Sequence, residues 1–302
     1  MIPRENTASA GNRRKDDDRM LFPESQTLTL HIAGTPSGDI PYYTFPAFDA
    51  FPFVRHGFST RLGGVSGGDC ESMNLSYSRG DDPAAVRENF DRFCKAIGVA
   101  AENVVVSAQE HHTVIRNVTA ADRGRGVIRE KGYADIDGLL TDEPDVVLCT
   151  QYADCVPLFF LDPVRRVVGT SHAGWKGTAA RIGAATVERM CRDYGCRRED
   201  ILAGIGPSIG FCCFEVDAPV YEAFAGMEET DARCWSEDGN GKYHVDLWEI
   251  NRRILLTAGL SPENITVTDL CTRCRPDVFW SHRATGGRRG NMGAFIALTA
   301  GL

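Results

Sequence analysis

The period of apolar and polar positions changes several times along this chain, and each change marks a boundary. Residues 1–25 begin MIPRENTASAGNRRKDDDRM, with opposing charge blocks and no apolar period, so a solvated, disordered tail is expected ahead of a domain over residues 26–302. Aromatic and small residues then alternate through PYYTFPAFDAFPFVRHGFSTRLGGVSGG, which predicts a strand running into a glycine-rich loop at residues 61–68. In GDDPAAVRENFDRFCKAIG the period becomes helical: Ala85, Val86, Phe90, Phe93 and Ile97 recur at that spacing. Asp82 suits the cap and Pro83 the first turn, so a helix is predicted over residues 83–97.

The run NVVVSAQEHH reads as a short buried strand whose end carries Gln109, Glu110, His111 and His112. Three apolar runs of strand length follow at residues 146–150, 156–161 and 166–172, separated by turns that hold Asp154 and an Asp-Pro pair. A helix should start just after His172, carrying Ala179, Ile182, Ala185, Val187 and Met190, and stop at Gly195. ILAGIGPSIGFCCFEV reads as strand, tight turn and second apolar run; residues 245–259 form an amphipathic helix, and ITVTDL and MGAFIAL are strands. This irregular alternation without an internal repeat predicts an α+β fold, a single domain of mixed β-sheets flanked by helices.

Composition narrows the function classes. A formal net charge of −8 argues against nucleic acid, which is bound by clustered Lys and Arg, and no apolar run is long enough to span a bilayer. Eleven cysteines, an odd number, with no signal-peptide pattern point to a reducing cytoplasm, where most thiols are small buried hydrophobes. A monomer acting on small molecules is the expectation.

His111, Cys155 and His172 escape that background, because each lies at a predicted strand end among small or polar neighbours. They offer three zinc ligands with a fourth position open, or Cys155 is a nucleophile with His172 as its base and Asp154 or Gln109 orienting the ring. The Cys271-x-x-Cys274 pair has zinc-knuckle spacing, but its companions Cys212 and Cys213 are adjacent and make a poor chelating pair, so buried thiols or a redox pair is the reading there. His112 should face away from His111, and His31, His56, His244 and His282 read as structural or exposed. The glycine loop with Arg61 offers an anion site or a flexible surface turn.

AQEHHT, DGLLTD, YADCVPLFFLDP, SHAGWKG, GIGPSIGFCCFEV, VDLWEINRRIL and CTRC, in this order from about His56 onward, resemble the laccase-domain family of multicopper polyphenol oxidases, also labelled purine nucleoside phosphorylase or peptidoglycan editing factor. The resemblance implies a fold distantly shared with bacterial toxin deamidases and a zinc held by His111, Cys155 and His172. It further implies phosphorolysis of adenosine, inosine and methylthioadenosine, with deamination of adenosine. Four positions depart from the family pattern: His112 stands where glycine is usual, Gln151 and Tyr152 precede the Ala-Asp-Cys motif, and Lys176 replaces arginine. Seven histidines, most of them isolated, do not furnish several copper sites, so zinc is favoured, with copper second. Cys155, His172 and Asp154 (or Glu110, for proton transfer) would then be catalytic, Arg61 would neutralise phosphate, and Asn74 would hold the nucleoside. A thiol hydrolase or phenol oxidoreductase, acting on cell-wall precursors or phenols, is the alternative.

Overall fold

The continuous apolar runs are strands buried on both faces. The computed structural model describes residues 22–36 and 38–300. Among these, one six-stranded sheet runs β1 (Thr29–Thr35), β2 (Gly38–Thr44), β3 (Val54–Ser59), β15 (Met292–Leu298), β7 (Val147–Tyr152), β4 (Val104–Val106). A second runs β14 (Ile265–Val267), β10 (Leu202–Ile205), β8 (Val156–Asp162), β9 (Val167–Ala173), β6 (Gly138–Thr141), β5 (Ile115–Asn117). A small third sheet, β11 (Glu215–Asp217), β13 (Lys242–Val245), β12 (Trp235–Glu237), was not visible in the sequence.

The period of two along each strand sorts side chains into three cores. From β8, Phe159 and Leu161 point into the layer between the two large sheets, where they meet Leu148, Tyr152, Ala294 and Ile296. Val156, Leu158 and Phe160 of the same strand point the other way, against α4 (Ile182–Tyr194) and α6 (Leu247–Thr257). On the outer face of the first sheet, Val147, Cys149, Phe295 and Ala297 pack on α2 (Pro83–Ala96) through Phe90 and Phe93. Full burial of each large apolar side chain contributes roughly 1.5–3 kcal/mol. The layers are therefore helix, sheet, sheet, helices: a mixed α+β single domain, as the apolar runs implied.

Local details differ from the sequence expectation in instructive places. Asp82 caps α2 by accepting from Ala84 N, with Pro83 at the first helical position, as expected. The aromatic segment before the glycine loop is not one strand, because α1 (Pro46–Asp49) separates β2 from β3. The helix after His172 is broken: α3 (Trp175–Ala179) ends and Arg181, at φ 60°, redirects the chain into α4. Helix α6 begins at Leu247, because Val245 belongs to β13 of the small sheet, against which α5 (Ala218–Ala225) stacks Tyr221 on Tyr243. Of the expected tail, residues 1–21 lie outside the described residues. The rest of it is anchored through three residues: Phe22 packs on the inter-sheet core, Tyr43 donates to Pro23 O, and Ser25 donates to Asp269. Among the described residues no helix is long and apolar enough to cross a membrane.

Candidate metal centre

Strand register delivers the candidate ligands to one place. β8 and β9 pair antiparallel with Val156 opposite Ala173 and Pro157 opposite His172, which sets Cys155, just before β8, beside Gly174, just after β9. His172 shares the strand face of Val168 and Thr170, so it looks into the inter-sheet layer, where it meets the ring of Tyr152. His111 arrives from a loop rather than a strand end, since β4 stops at Val106 and a bridge between Ala108 and Ile136 ties that loop down. One donor atom from each of His111, Cys155 and His172 lies within 4.8 Å of the others. His111 Nε2 is 3.9 Å from Cys155 Sγ, and the two imidazole rings meet nearly edge to face, 4.7 Å apart. His172 is buried, Cys155 half-buried and His111 exposed, so the group opens on one side.

The organising residue is Asp137, which the sequence reading passed over inside the motif DGLLTD. β6 pairs with β9 so that Gly138 faces Ser171, and the register carries Asp137 to His172. Its Oδ1 lies 2.8 Å from His172 Nδ1, and His172 N donates to its carbonyl at 2.7 Å. With Nδ1–H given to the carboxylate, Nε2 keeps its lone pair for a metal. The same carboxylate accepts the backbone N–H groups of Glu110, His111 and His112 at 3.0, 3.1 and 3.0 Å. One buried side chain therefore fixes the tautomer of one candidate ligand and the backbone of another, holding His111 at φ 67° in the left-handed region.

Electrostatics follow from that contact. Burial lifts the Asp137 carboxyl, but the hydrogen bonds from His172, Glu110 and His112 bring it below the usual range. Burial likewise pushes the Cys155 thiol up, and the charge of His172 with hydrogen bonds from both histidines outweighs it, so the thiol moves down. His172 is pushed down by burial and raised further by Cys155 and Asp137. Without metal the pair thus favours thiolate beside imidazolium. Gly174 completes the cradle: a Cβ there would lie 2.8 Å from His111 Cδ2 and 3.2 Å from Cys155 Sγ.

Other residues singled out from the sequence have different employment. Asp154, at φ 84°, is buried and accepts from Thr272 Oγ1 at 2.7 Å, Ser281 Oγ at 3.0 Å and Arg283 N at 2.7 Å, so it braces the start of α7 (His282–Thr285) and the Cys271–Cys274 turn. Gln109 does not orient a ring; its amide clamps both the N–H and the carbonyl of Gln151 at 2.7 Å. Arg61 stacks on Trp280 with its carbon 3.8 Å from the ring centre and donates to Pro276 O, so packing holds its guanidinium in place. Asn74 is fully buried, giving its amide N–H groups to Ser76 O and Asp81 and its oxygen to Ser76 N and Asn291 N. It shapes the 289–291 turn and has no polar valence left for a nucleoside. His112 is exposed and paired with Asp135, apart from the trio as expected.

Two further features were missed. Arg289 is half-buried, its Nε is buried with no hydrogen-bond partner, and its charge is within reach of Asp154 and Cys155. Burial, then the neighbouring Arg79, pulls it down to about 10. A cavity of about 630 Å³, lined by Ser76, Tyr77, Val127, Lys131 and Gln151, reaches the residue that Gln109 clamps. A Gly-Gly-Arg-Arg-Gly run near the chain's end was the available signal for Arg289, but its spacing fits no phosphate motif.

The sequence profile of the multi-copper polyphenol oxidoreductase laccase family matches residues 55–299. The chain belongs to this family. It is 39% identical over 247 residues to purine nucleoside phosphorylase YlmD of Bacillus subtilis, covering 81% of this chain and 88% of that one. It is also 34% identical over 235 residues to adenosine deaminase RL5 from an unknown prokaryotic organism, covering 76% and 88%. The crystal structure of Bacillus licheniformis hypothetical protein YfiH has the same fold, with a TM-score of 0.82 at 35% identity over 89% of this chain and 99% of that one. In this laccase-family chain, two groups of described residues converge closely enough to hold a metal: the His111, Cys155, His172 trio and a set of four cysteines at 212, 213, 271 and 274. The sulfurs of adjacent Cys212 and Cys213 both lie close to Cys274, which the sequence alone did not place there. Neither group is the histidine-rich set that several coppers need.

Proposed function

We propose that the chain is a zinc-dependent purine nucleoside enzyme, cleaving adenosine, inosine and methylthioadenosine with phosphate and deaminating adenosine. The observation that carries this reading is the convergence of His111, Cys155 and His172 on a half-open point, with Asp137 fixing two of the three. One thiol and two imidazoles with a free position suit zinc better than a copper cluster. The names of relatives similar over most of the chain support purine nucleosides as the substrate class.

Bound there, zinc supplies Lewis acidity that polarises an oxygen of water or substrate. The chain's own residues do the rest. Asp137 holds His172 in one tautomer through every step. Asp154 is assigned as a positioning residue, because its oxygens are occupied by Thr272, Ser281 and Arg283. Glu110 takes the proton-carrying role, being exposed and next to His111 in the chain. In phosphorolysis a phosphate oxygen bonds to the sugar C1′ as the bond to the purine nitrogen breaks, and the base leaves with a proton. Arg289, with an unpaired buried N–H, replaces Arg61 as the group that neutralises phosphate.

The test is product analysis of purified protein with adenosine, inosine and methylthioadenosine, with and without phosphate, alongside metal content. Free base and sugar 1-phosphate, plus inosine from adenosine, are expected, and Cys155→Ala should lose one metal equivalent and at least about 100-fold in turnover. Full turnover and full metal in that variant overturn the reading. The polarised Cys155 and His172 pair favours one second reading, a thiol hydrolase. It predicts activity that survives chelation and is lost on alkylation.

A further inference from the structure

Four cysteines from two distant segments meet at the surface some way along the chain from the trio. Cys212 and Cys213 follow Gly210 in a tight turn in which Cys213 N and Phe214 N both donate to Gly210 O, and this curl sends two adjacent side chains to one side. Cys271 and Cys274 come from a turn after β14, tied down by a bridge between Ser208 and Cys271. Cys212 Sγ and Cys213 Sγ each lie 3.5 Å from Cys274 Sγ, and all four sulfurs fall within 4.8 Å of one another.

We propose that Cys212, Cys213, Cys271 and Cys274 form a second metal site, a closed tetrathiolate site for zinc that braces the loop carrying Cys155. Four sulfurs at a Zn–S distance of about 2.3 Å stand about 3.8 Å apart along a tetrahedron's edge. Two of the observed separations, at 3.5 Å, lie close below that figure, and none exceeds 4.8 Å. The backbone N–H of Gly210 donates to Cys271 Sγ at 3.2 Å, the kind of outer contact that steadies a thiolate ligand. Core packing does not explain the whole cluster: Cys213 and Cys271 are half-buried against the helix-side core, but Cys212 and Cys274 are exposed. Nor are these sulfurs joined, since all four are free thiols. On binding, the four thiols release their protons, and the guanidinium groups of Arg273, beside Cys274, and Arg283, which donates to Cys213 O and Glu215 O, offset the resulting negative charge.

The site reaches the trio through two hydrogen-bonded limbs. Thr272, between the two knuckle cysteines, donates to Asp154 Oδ1 at 2.7 Å, and Ile209, from the Cys212 limb, donates through its backbone to Asp154 O at 2.9 Å. Asp154 precedes Cys155 directly. A metal spanning residues 212–213 and 271–274 therefore clamps both supports of the Cys155 loop at once.

The experiment is metal analysis by mass spectrometry on the full chain, purified without chelator and dialysed, as wild type and as Cys274→Ser, Cys155→Ser and the double variant. Two equivalents of zinc are expected in the wild type, one in each single variant and none in the double. Cobalt(II) replacing zinc in Cys155→Ser should give the intense visible bands of a tetrahedral tetrathiolate, absent after Cys274→Ser. Equal metal in wild type and Cys274→Ser overturns the proposal, as does an intact mass two hydrogens light, which marks a disulfide. If Cys274→Ser does not fold, cobalt titration of metal-free Cys155→Ser decides alone: no tetrathiolate spectrum overturns the site. Because that readout needs no nucleoside, the site stands or falls separately from the purine reading.

Discussion

Two thiol-bearing clusters share Asp154 as a common neighbour and differ in almost every other respect. At His111, Cys155 and His172, unlike donors come from a loop, a turn and a strand, a buried carboxylate stands behind them, and one side is open. At Cys212, Cys213, Cys271 and Cys274 like donors come from two turns, with a backbone N–H in place of the carboxylate. A metal needs an open position and oriented donors to do chemistry, whereas four equal thiolates saturate it and leave it only a mechanical role. The difference teaches what would separate a reactive centre from a brace: a coordination position left open and a carboxylate that orients the donors around it.

Three substitutions would sharpen or break that contrast. The largest effect is expected from Asp137→Asn, which keeps the shape and removes the charge. Metal affinity at the trio and nucleoside turnover should fall about 10–100-fold while the four-cysteine site keeps its metal. Equilibrium dialysis with steady-state kinetics checks this, and near wild-type values for both would remove Asp137 from its organising role. Next comes Gly174→Ala, whose new methyl must displace His111 or Cys155. Turnover should drop roughly tenfold with the fold intact by circular dichroism, since sub-ångström misplacement of reacting groups is costly. An unchanged rate would mean that the trio tolerates movement. The smallest effect belongs to Thr272→Val, which cuts one limb between the clusters. Leaving Asp154 Oδ1 short of a donor should cost about 1–3 kcal/mol in urea unfolding and slow turnover about two- to fivefold, with both metals retained. Unchanged stability and rate together would show that the clusters are mechanically independent.

The strands were legible because their apolar runs have strand length and no polar interruption, and helix α2 because its cap, proline and period agree. The small third sheet was not, since β11 and β12 are three residues each and polar on one side. The three candidate ligands stood out as residue types near the ends of apolar runs. The surroundings of Arg61 and Asn74 were not legible: an arginine in a glycine loop looks available until Trp280, far along the chain, is found stacked on it, and Asn74 until Asp81 and Asn291 are found bonded to its amide. Asp137 escaped because its importance depends on a register that no local pattern encodes, Gly138 against Ser171. That Cys212 and Cys213 meet Cys271 and Cys274 was not legible, because the turn that curls the backbone there draws on Gly210 O and on a segment about sixty residues away.

By itself the sequence determined which segments are strands buried on both faces, that the chain folds as mixed α+β, and which cysteine and histidines stand out from the rest. These follow from local periodicity and side-chain chemistry, which are written along the chain. Only the tertiary structure decided that one carboxylate orients His172 and holds His111, that Asp154 is a brace, and that four scattered cysteines meet. Those outcomes are set by pairing between strands and turns far apart in sequence, where a shift of one residue would turn each side chain to the opposite face.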